Sequence, residues 1–203
     1  MPDLLLLERR LWAMGLGSVA GVDEAGRGAL FGPVVAAAVI LDPARDLTPY
    51  RDSKALSALQ RERAFARLDS DGHSWAVAEV SASEIDGSDI LRAALKAMAL
   101  AVGLLSAPPS HVLVDGPWTP ELTYPVEAVV HGDAVSASIA AASIVAKVHR
   151  DRVMLAYHGL YPAYRFDRHK GYGTALHLQA IQRIGPCPLH RRSFRGVLPQ
   201  MEG

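Results

Sequence analysis

Asp23 and Glu24 stand side by side, followed at once by Gly26-Arg27-Gly28 and, over residues 34–41, by the apolar run VVAAAVIL. Two more acids, Asp115 and Asp133, close a short apolar segment and open a long one. Carboxylates brought together repel one another, and such a group holds together at neutral pH chiefly when a divalent cation neutralises it. An all-oxygen donor set selects Mg²⁺ or Mn²⁺. Asp23 and Glu24, as neighbours in a regular strand, would point to opposite faces, so both can serve one site only if the strand breaks there. Ala25-Gly26-Arg27-Gly28 supplies that break, and its glycines let backbone come close to whatever the acids hold.

Rival chemistries fit poorly. Gly26, Gly28 and Gly32 are spaced one residue too widely for a dinucleotide fingerprint, and the loop runs into a strand rather than a helix. No Gly-Lys-Ser/Thr exists for a nucleotide loop, and Gly72-His73-Ser74-Trp75-Ala76 lacks the final glycine of a nucleophile elbow. None of the eight histidines forms an H-E-x-x-H pair.

The acids need elements to bring them together. Residues 17–22 lead into Asp23 as one strand, 34–41 form a second strand apolar enough to be buried on both faces, and 75–80 form a third. HVLVD ends at Asp115 and VEAVV ends before His131. Ser57 with Gln60 makes a capping box for a helix reaching about Leu68, and Ile90, Leu91, Ala94, Leu95, Met98, Ala101, Val102 and Leu105 recur at helical spacing. Asp133 is expected to open a long Ala/Ser/Ile helix, a Gly/Pro/aromatic link spans 159–173, and a last helix lies near 175–184. Each acid then falls at a strand edge or a helix start, where ligands bind in open α/β sheets. The pattern gives one α/β domain with a mixed β-sheet plus a small helical C-terminal piece.

Composition bounds the setting. The chain has 203 residues, half of them hydrophobic, with a formal net charge of zero. No run approaches the roughly 18 apolar residues of a membrane helix, so a soluble, unexported protein is expected. Cys187 is alone, which rules out an internal disulfide and suits a reducing cytoplasm. From Val145 onward there are ten Lys/Arg against three Asp/Glu. Tyr157, Tyr161, Tyr164, Phe166, Tyr172 and Phe194 lie among those cations, a mixture that suits nucleic-acid contact or, equally, a solvated surface over core aromatics.

Four blocks carry a resemblance: GVDEAGRGALFGPVVAAAVIL, DSKAL at 52–56, GDAVSASIAAASIVAKVHRDR from Gly132, and YPAYRFDRHKGYGTALH with HRRSF from Tyr161 onward. Together they resemble bacterial ribonuclease HII, the type 2 ribonuclease H. The resemblance implies an RNase H-like mixed β-sheet flanked by helices, a catalytic domain over 1–156 and a helical substrate-binding extension over 157–203. It implies cleavage of RNA within RNA–DNA hybrids and nicking of DNA duplexes at embedded ribonucleotides, with no membrane partner, by a cytoplasmic monomer. Asp23, Glu24, Asp115 and Asp133 would be the metal-binding, catalytic acids. Gly26, Arg27 and Gly28 would sense the ribose 2′-hydroxyl, Tyr172 would meet the RNA–DNA junction, and Lys54 would contact a backbone phosphate. Ala29, Phe31, Pro117, His131 and Arg165 depart from the pattern that the resemblance implies.

Such an acid set implies two Mg²⁺ or Mn²⁺ ions about 3.5–4 Å apart at the scissile phosphate. The products would carry a 5′-phosphate and a 3′-hydroxyl. Duplex binding through phosphates would weaken steeply with salt.

Overall fold

A computed structural model describes residues 3–47, 50 and 56–198. Lys54 lies outside them, as does the rest of its block up to residue 55. The centre of the molecule is a five-stranded sheet in the order β3-β2-β1-β4-β5. It comprises β1 (Val19–Ala25), β2 (Val34–Ile40), β3 (Ser74–Val80), β4 (His111–Asp115) and β5 (Val126–Val129). β1–β2 and β2–β3 are antiparallel, whereas β4 joins β1, and β5 joins β4, in parallel. This is the mixed sheet that the sequence implies.

Helices cover both faces: α1 (Leu6–Ala13), α2 (Ala58–Ser70), α3 (Ala82–Asp86), α4 (Ile90–Gly103) and α5 (Ala137–Leu160), with α6 (Phe166–His169) and α7 (Ala175–Ile184) in the C-terminal piece. The residues of β2 explain its apolar run, because its side chains alternate between two cores. Ala36 and Ala38 pack with α4, and Ala37 and Val39 pack with α2 and α5. The Ser57 capping box on α2 forms as expected, and Asp89 caps α4.

The small residues of α5 let it lie close against β1. A Cβ added at Gly21 would fall 2.1 Å from the Ser138 carbonyl carbon, so glycine is what permits this approach. Burial of Ala140, Ala141, Ala142, Ile144 and Val145, all fully enclosed, then fixes α5 against the sheet.

Two expectations change. The long helix begins at Ala137 with Ser136 as its cap, and Asp133 sits in a separate 3-10 turn, Gly132–Ala134. The Ser136 hydroxyl accepts the Ile139 N–H, and its extended backbone ends the turn before the helix starts. The N-terminal stretch, for which the sequence reading names no element, forms α1. Glu8 on α1 is fully buried and accepts hydrogen bonds from Ser136 Oγ (2.6 Å) and the Ser138 N–H (2.9 Å), pinning the start of α5. Among the described residues, no helix is long and apolar enough to cross a membrane.

α5 also reaches into the C-terminal piece. Met154 and Tyr157 join a separate apolar cluster with Phe31, Tyr164, Phe166, Ala180 and Ile181.

Candidate active site

β1 carries Asp23 and Glu24 beyond its last parallel pair. Pairing with β4 ends at Val22–Val114, while pairing with β2 continues through Ala25. The strand therefore does not break at the two acids, contrary to expectation. They share a site because they lie just past the last pair with β4, level with the end of that strand at Asp115, and the chain turns only at Gly26, with φ +88°. A cavity of about 360 Å³ opens there, walled by Asp23, Glu24, Asp115, the Gly26–Gly28 loop, Ser143, Lys147, Arg61 and Tyr172.

Burial, the neighbouring Glu24 and Asp115 push the Asp23 carboxyl well above the usual carboxylate range, against hydrogen bonds from Ser143 and the Glu24 N–H. Glu24 is also raised, mainly by burial, although Arg27 opposes this from 3.5 Å. Asp115 Oδ1 accepts the Gly132 N–H at 2.7 Å. Asp133 is buried in the next turn, outside the cavity lining. Three of the four expected acids thus meet around one space, and the fourth is tied to them through Gly132.

Among the described residues, no group of three or more His, Cys, Asp or Glu side chains is arranged as a ready metal cage. The donor chemistry nonetheless fits a hard divalent cation: the walls offer carboxylate oxygens, and the buried acid at their centre resists ionising without a counter-charge.

Sequence reasoning does not single out Ser143, Lys147 and Arg61 on these walls. Ser143 and Lys147 are four residues apart on α5, a spacing that puts them on one face and could have exposed them. Burial lowers the Lys147 pKa, opposed by its ion pair with Asp151.

The glycine loop and Tyr172 form one unit. Ala29 and Tyr172 make an antiparallel bridge, and the Leu30 N–H donates to Gly171 O at 2.8 Å. Arg150, fully buried, donates to the carbonyls of Phe31 (3.2 Å), Pro33 (3.3 Å) and Lys170 (2.9 Å), with its guanidinium 5.3 Å from the Tyr172 ring centre. A Cβ on Gly26 would lie 1.8 Å from Arg150 Nε. Gly28 differs: its φ is not positive, and a Cβ there would meet nothing within 4 Å.

Ala29 and Phe31, two of the departures, are both fully buried, and Phe31 stacks on Phe166 at 3.9 Å. The loop is therefore held by the core behind it. His131 and Arg165, two others, adopt left-handed backbone with φ +56° and +62°.

The basic C-terminal third divides in the same way. Tyr164 and Phe166 are buried, and Tyr157, Tyr161 and Phe194 pack against them, leaving Tyr172 as the member of that aromatic set on the cavity wall. Arg191 is fully buried and donates to Gly32 O (3.0 Å) and Arg27 O (2.9 Å), so it braces the loop instead of facing a duplex.

A layered mixed sheet with acids at the overhang of its central strand defines an RNase H-like nuclease fold. The family model for ribonuclease HII matches residues 20–197. Ribonuclease HII of Syntrophobacter fumaroxidans is 52% identical over 195 residues, covering 96% of this chain and 84% of that protein. Its counterpart from Idiomarina loihiensis is 51% identical over 179 residues, 88% of this chain and 96% of that one. Among solved structures, ribonuclease H2 from Pyrococcus horikoshii superimposes with a TM-score of 0.73 at 29% identity, covering 89% of this chain and 95% of that chain. A ribonuclease HIII in complex with Mn²⁺ shares the fold, at TM-score 0.68 and 21% identity over 92% of this chain and 70% of that one.

The chain belongs to the ribonuclease HII family. It is a metal-dependent endonuclease, a hydrolase with RNase H-type activity on RNA–DNA hybrids.

Proposed function

We propose that this enzyme, besides cutting the RNA strand of hybrids, nicks DNA duplexes on the 5′ side of a single embedded ribonucleotide. The observation that carries this is the placement of Gly28 and Tyr172 on the walls of the acid-lined cavity, joined to each other by the Ala29–Tyr172 bridge. The fold does not require glycine at position 28, so its missing side chain is explained by what approaches from outside. Backbone groups of Gly26, Arg27 and Gly28 would meet the ribose 2′-hydroxyl, the atom that distinguishes RNA from DNA. Tyr172 would close on the sugar at the junction.

Mg²⁺ or Mn²⁺ held by Asp23, Glu24, Asp115 and Asp133 would supply an attacking water of lowered pKa and stabilise charge developing on the phosphate. In the hydrolysis, water oxygen bonds to phosphorus and the P–O3′ bond breaks. The 3′-oxygen leaves as a protonated hydroxyl, and the ribonucleotide keeps the 5′-phosphate. Lys147 and Arg61, on the same walls, would attract the phosphate backbone by charge. Lys54 is proposed for the same role from the resemblance alone. The enzyme is proposed to act as a monomer in the cytoplasm, as the resemblance implies.

The test is cleavage of an end-labelled DNA duplex carrying one ribonucleotide, with Mg²⁺ and Mn²⁺ in turn. A nick 5′ of the ribonucleotide with a ligatable 5′-phosphate is expected. Cleavage of long hybrid without nicking of the single-ribonucleotide duplex would overturn the reading.

A further inference from the structure

Behind Tyr172 lies a buried group of side chains that the chemistry above does not use: His169, His177, Cys187 and His190. Their hydrogen bonds fix where each proton sits. His177 Nδ1 is 3.0 Å from the Tyr172 carbonyl oxygen, which can only accept, so Nδ1 carries the proton. His190 Nδ1 accepts the Cys187 N–H at 3.0 Å, so the proton of His190 is on Nε2. The two Nε2 atoms are 3.1 Å apart, and His190 therefore donates to His177. His169 holds the preceding residue, accepting the Gly171 N–H at Nδ1 (3.2 Å) while its Nε2 donates to Tyr164 O (2.8 Å). Every ring nitrogen in this set has a partner, and the pattern is met with every ring neutral.

We propose that His177 and His190 are positioning residues for Tyr172, a neutral relay of one tautomer running from the Cys187 amide to the Tyr172 carbonyl and holding the tyrosine at its place on the cavity wall. This inference rests on the reading of Tyr172 as the residue that meets the substrate. A proton added to either ring sets N–H against N–H somewhere along the relay, so a charged pair loses a bond and releases the segment.

The surroundings favour neutrality. Facing the pair are His169, stacked on His177 at 4.5 Å, Tyr164, at 4.9 Å from His190, and Cys187, whose Sγ is 3.3 Å from His190 Nδ1. Phe31 and Phe166 close the remaining sides. The nearby charges of Asp167 and Lys170 act on His169 with opposite sign. Burial, its main cause in both rings, pushes His177 and His190 down to about 4.

The experiment has two arms. Imidazole ¹⁵N spectra of the parent protein at pH 6 should show His177 protonated on Nδ1 and His190 on Nε2, with neither ring charged. Kinetics on the single-ribonucleotide duplex should show His177→Leu losing about tenfold in kcat with KM changed less than about twofold, the signature of lost alignment. His177→Asn, whose amide places a donor where Nδ1 sits, should recover to within about threefold of the parent. If His177→Leu does not fold, His190→Leu and His190→Gln replace the pair, the glutamine amide taking over the Nε2–H donation. With an active parent, opposite tautomers, a charged ring at pH 6, or leucine and amide variants that behave alike would overturn the relay. A parent unable to nick the single-ribonucleotide duplex overturns the functional reading instead, whatever the spectra show.

Discussion

Ala29 and Tyr172 are joined by an antiparallel backbone bridge, although 142 positions separate them in the sequence. Because of it, the glycine loop after β1 and the tyrosine of the C-terminal piece cannot move independently. Arg150 and Arg191 reinforce the join from behind, each donating to carbonyls of the 26–33 segment. The wall that would read the sugar is thus a single rigid unit set beside the acids.

Replacing Asp23 with asparagine should remove activity while stabilising the metal-free fold. The folded pKa of Asp23 lies above its unfolded value, so its stabilising contribution is complete below the unfolded pKa and is lost as pH rises through the folded one. At pH 7 the carboxylate is therefore a burden on the metal-free protein, and the amide keeps an acceptor for Ser143 and the Glu24 N–H. Asp23→Asn should gain about 1 kcal/mol, or roughly 2–4 °C in Tm. Thermal melts in chelator at pH 7, paired with the nicking assay, check both halves; a lower Tm would show that the charge is compensated within the protein.

Gly26→Ala should be costly to the fold itself. Its φ of +88° disfavours a side chain, and the new Cβ would meet Arg150 Nε at 1.8 Å. A loss of about 2–4 kcal/mol is expected from the strain and the displaced arginine. Urea denaturation measures it.

Glu8→Ala should loosen the N-terminus of α5. It leaves the Ser138 N–H and the Ser136 hydroxyl without their buried acceptor. A loss of about 2 kcal/mol is the scale for leaving buried donors without their acceptor. Glu8→Gln, which keeps an acceptor of the same shape, should recover part of it in the same denaturation experiment.

Arg191→Met should act on stability and leave salt dependence alone. The side chain is wholly buried and braces Gly32 and Arg27 through their carbonyls, so its loss leaves those acceptors unpaired, at about 2 kcal/mol. Arg192 is exposed, and Arg192→Ala should instead leave the fold intact and reduce the slope of log affinity against log salt by about one. Duplex-binding isotherms at several salt concentrations separate the two.

The sequence shows the strands clearly because their periodicity is local: β2 is apolar on both faces, and Asp115 closes a run that can only be a buried strand. Three acids of the site follow from the same logic, since each terminates such a run or lies next to one that does. What sequence patterns hide is contact at a distance. Whether Arg191 faces phosphate or a carbonyl depends on where Gly32 lies, and Tyr164 and Phe166 look like stacking aromatics until Phe31 fills the space beside them. Glu8 was invisible for a related reason, because its role exists only once α1 reaches the start of α5. Asp133 sits one element before the helix it is expected to open, since Ser136 caps that helix.

That Gly28 and Tyr172 together read the sugar beside the acid-lined cavity is the step on which the proposed function turns. It is tested by the ratio of cleavage rates on a duplex with one embedded ribonucleotide and on long RNA–DNA hybrid, measured for Tyr172→Ala and Gly28→Ala against the parent. The model predicts that both variants keep their fold, because Tyr172 sits on a cavity wall and a Cβ on Gly28 meets nothing within 4 Å. Both should lose most activity on the single ribonucleotide and less on the hybrid, so that the ratio falls about tenfold, the cost of one lost positioning contact. A ratio equal to the parent's in both variants would contradict the model and leave only the acids as the site.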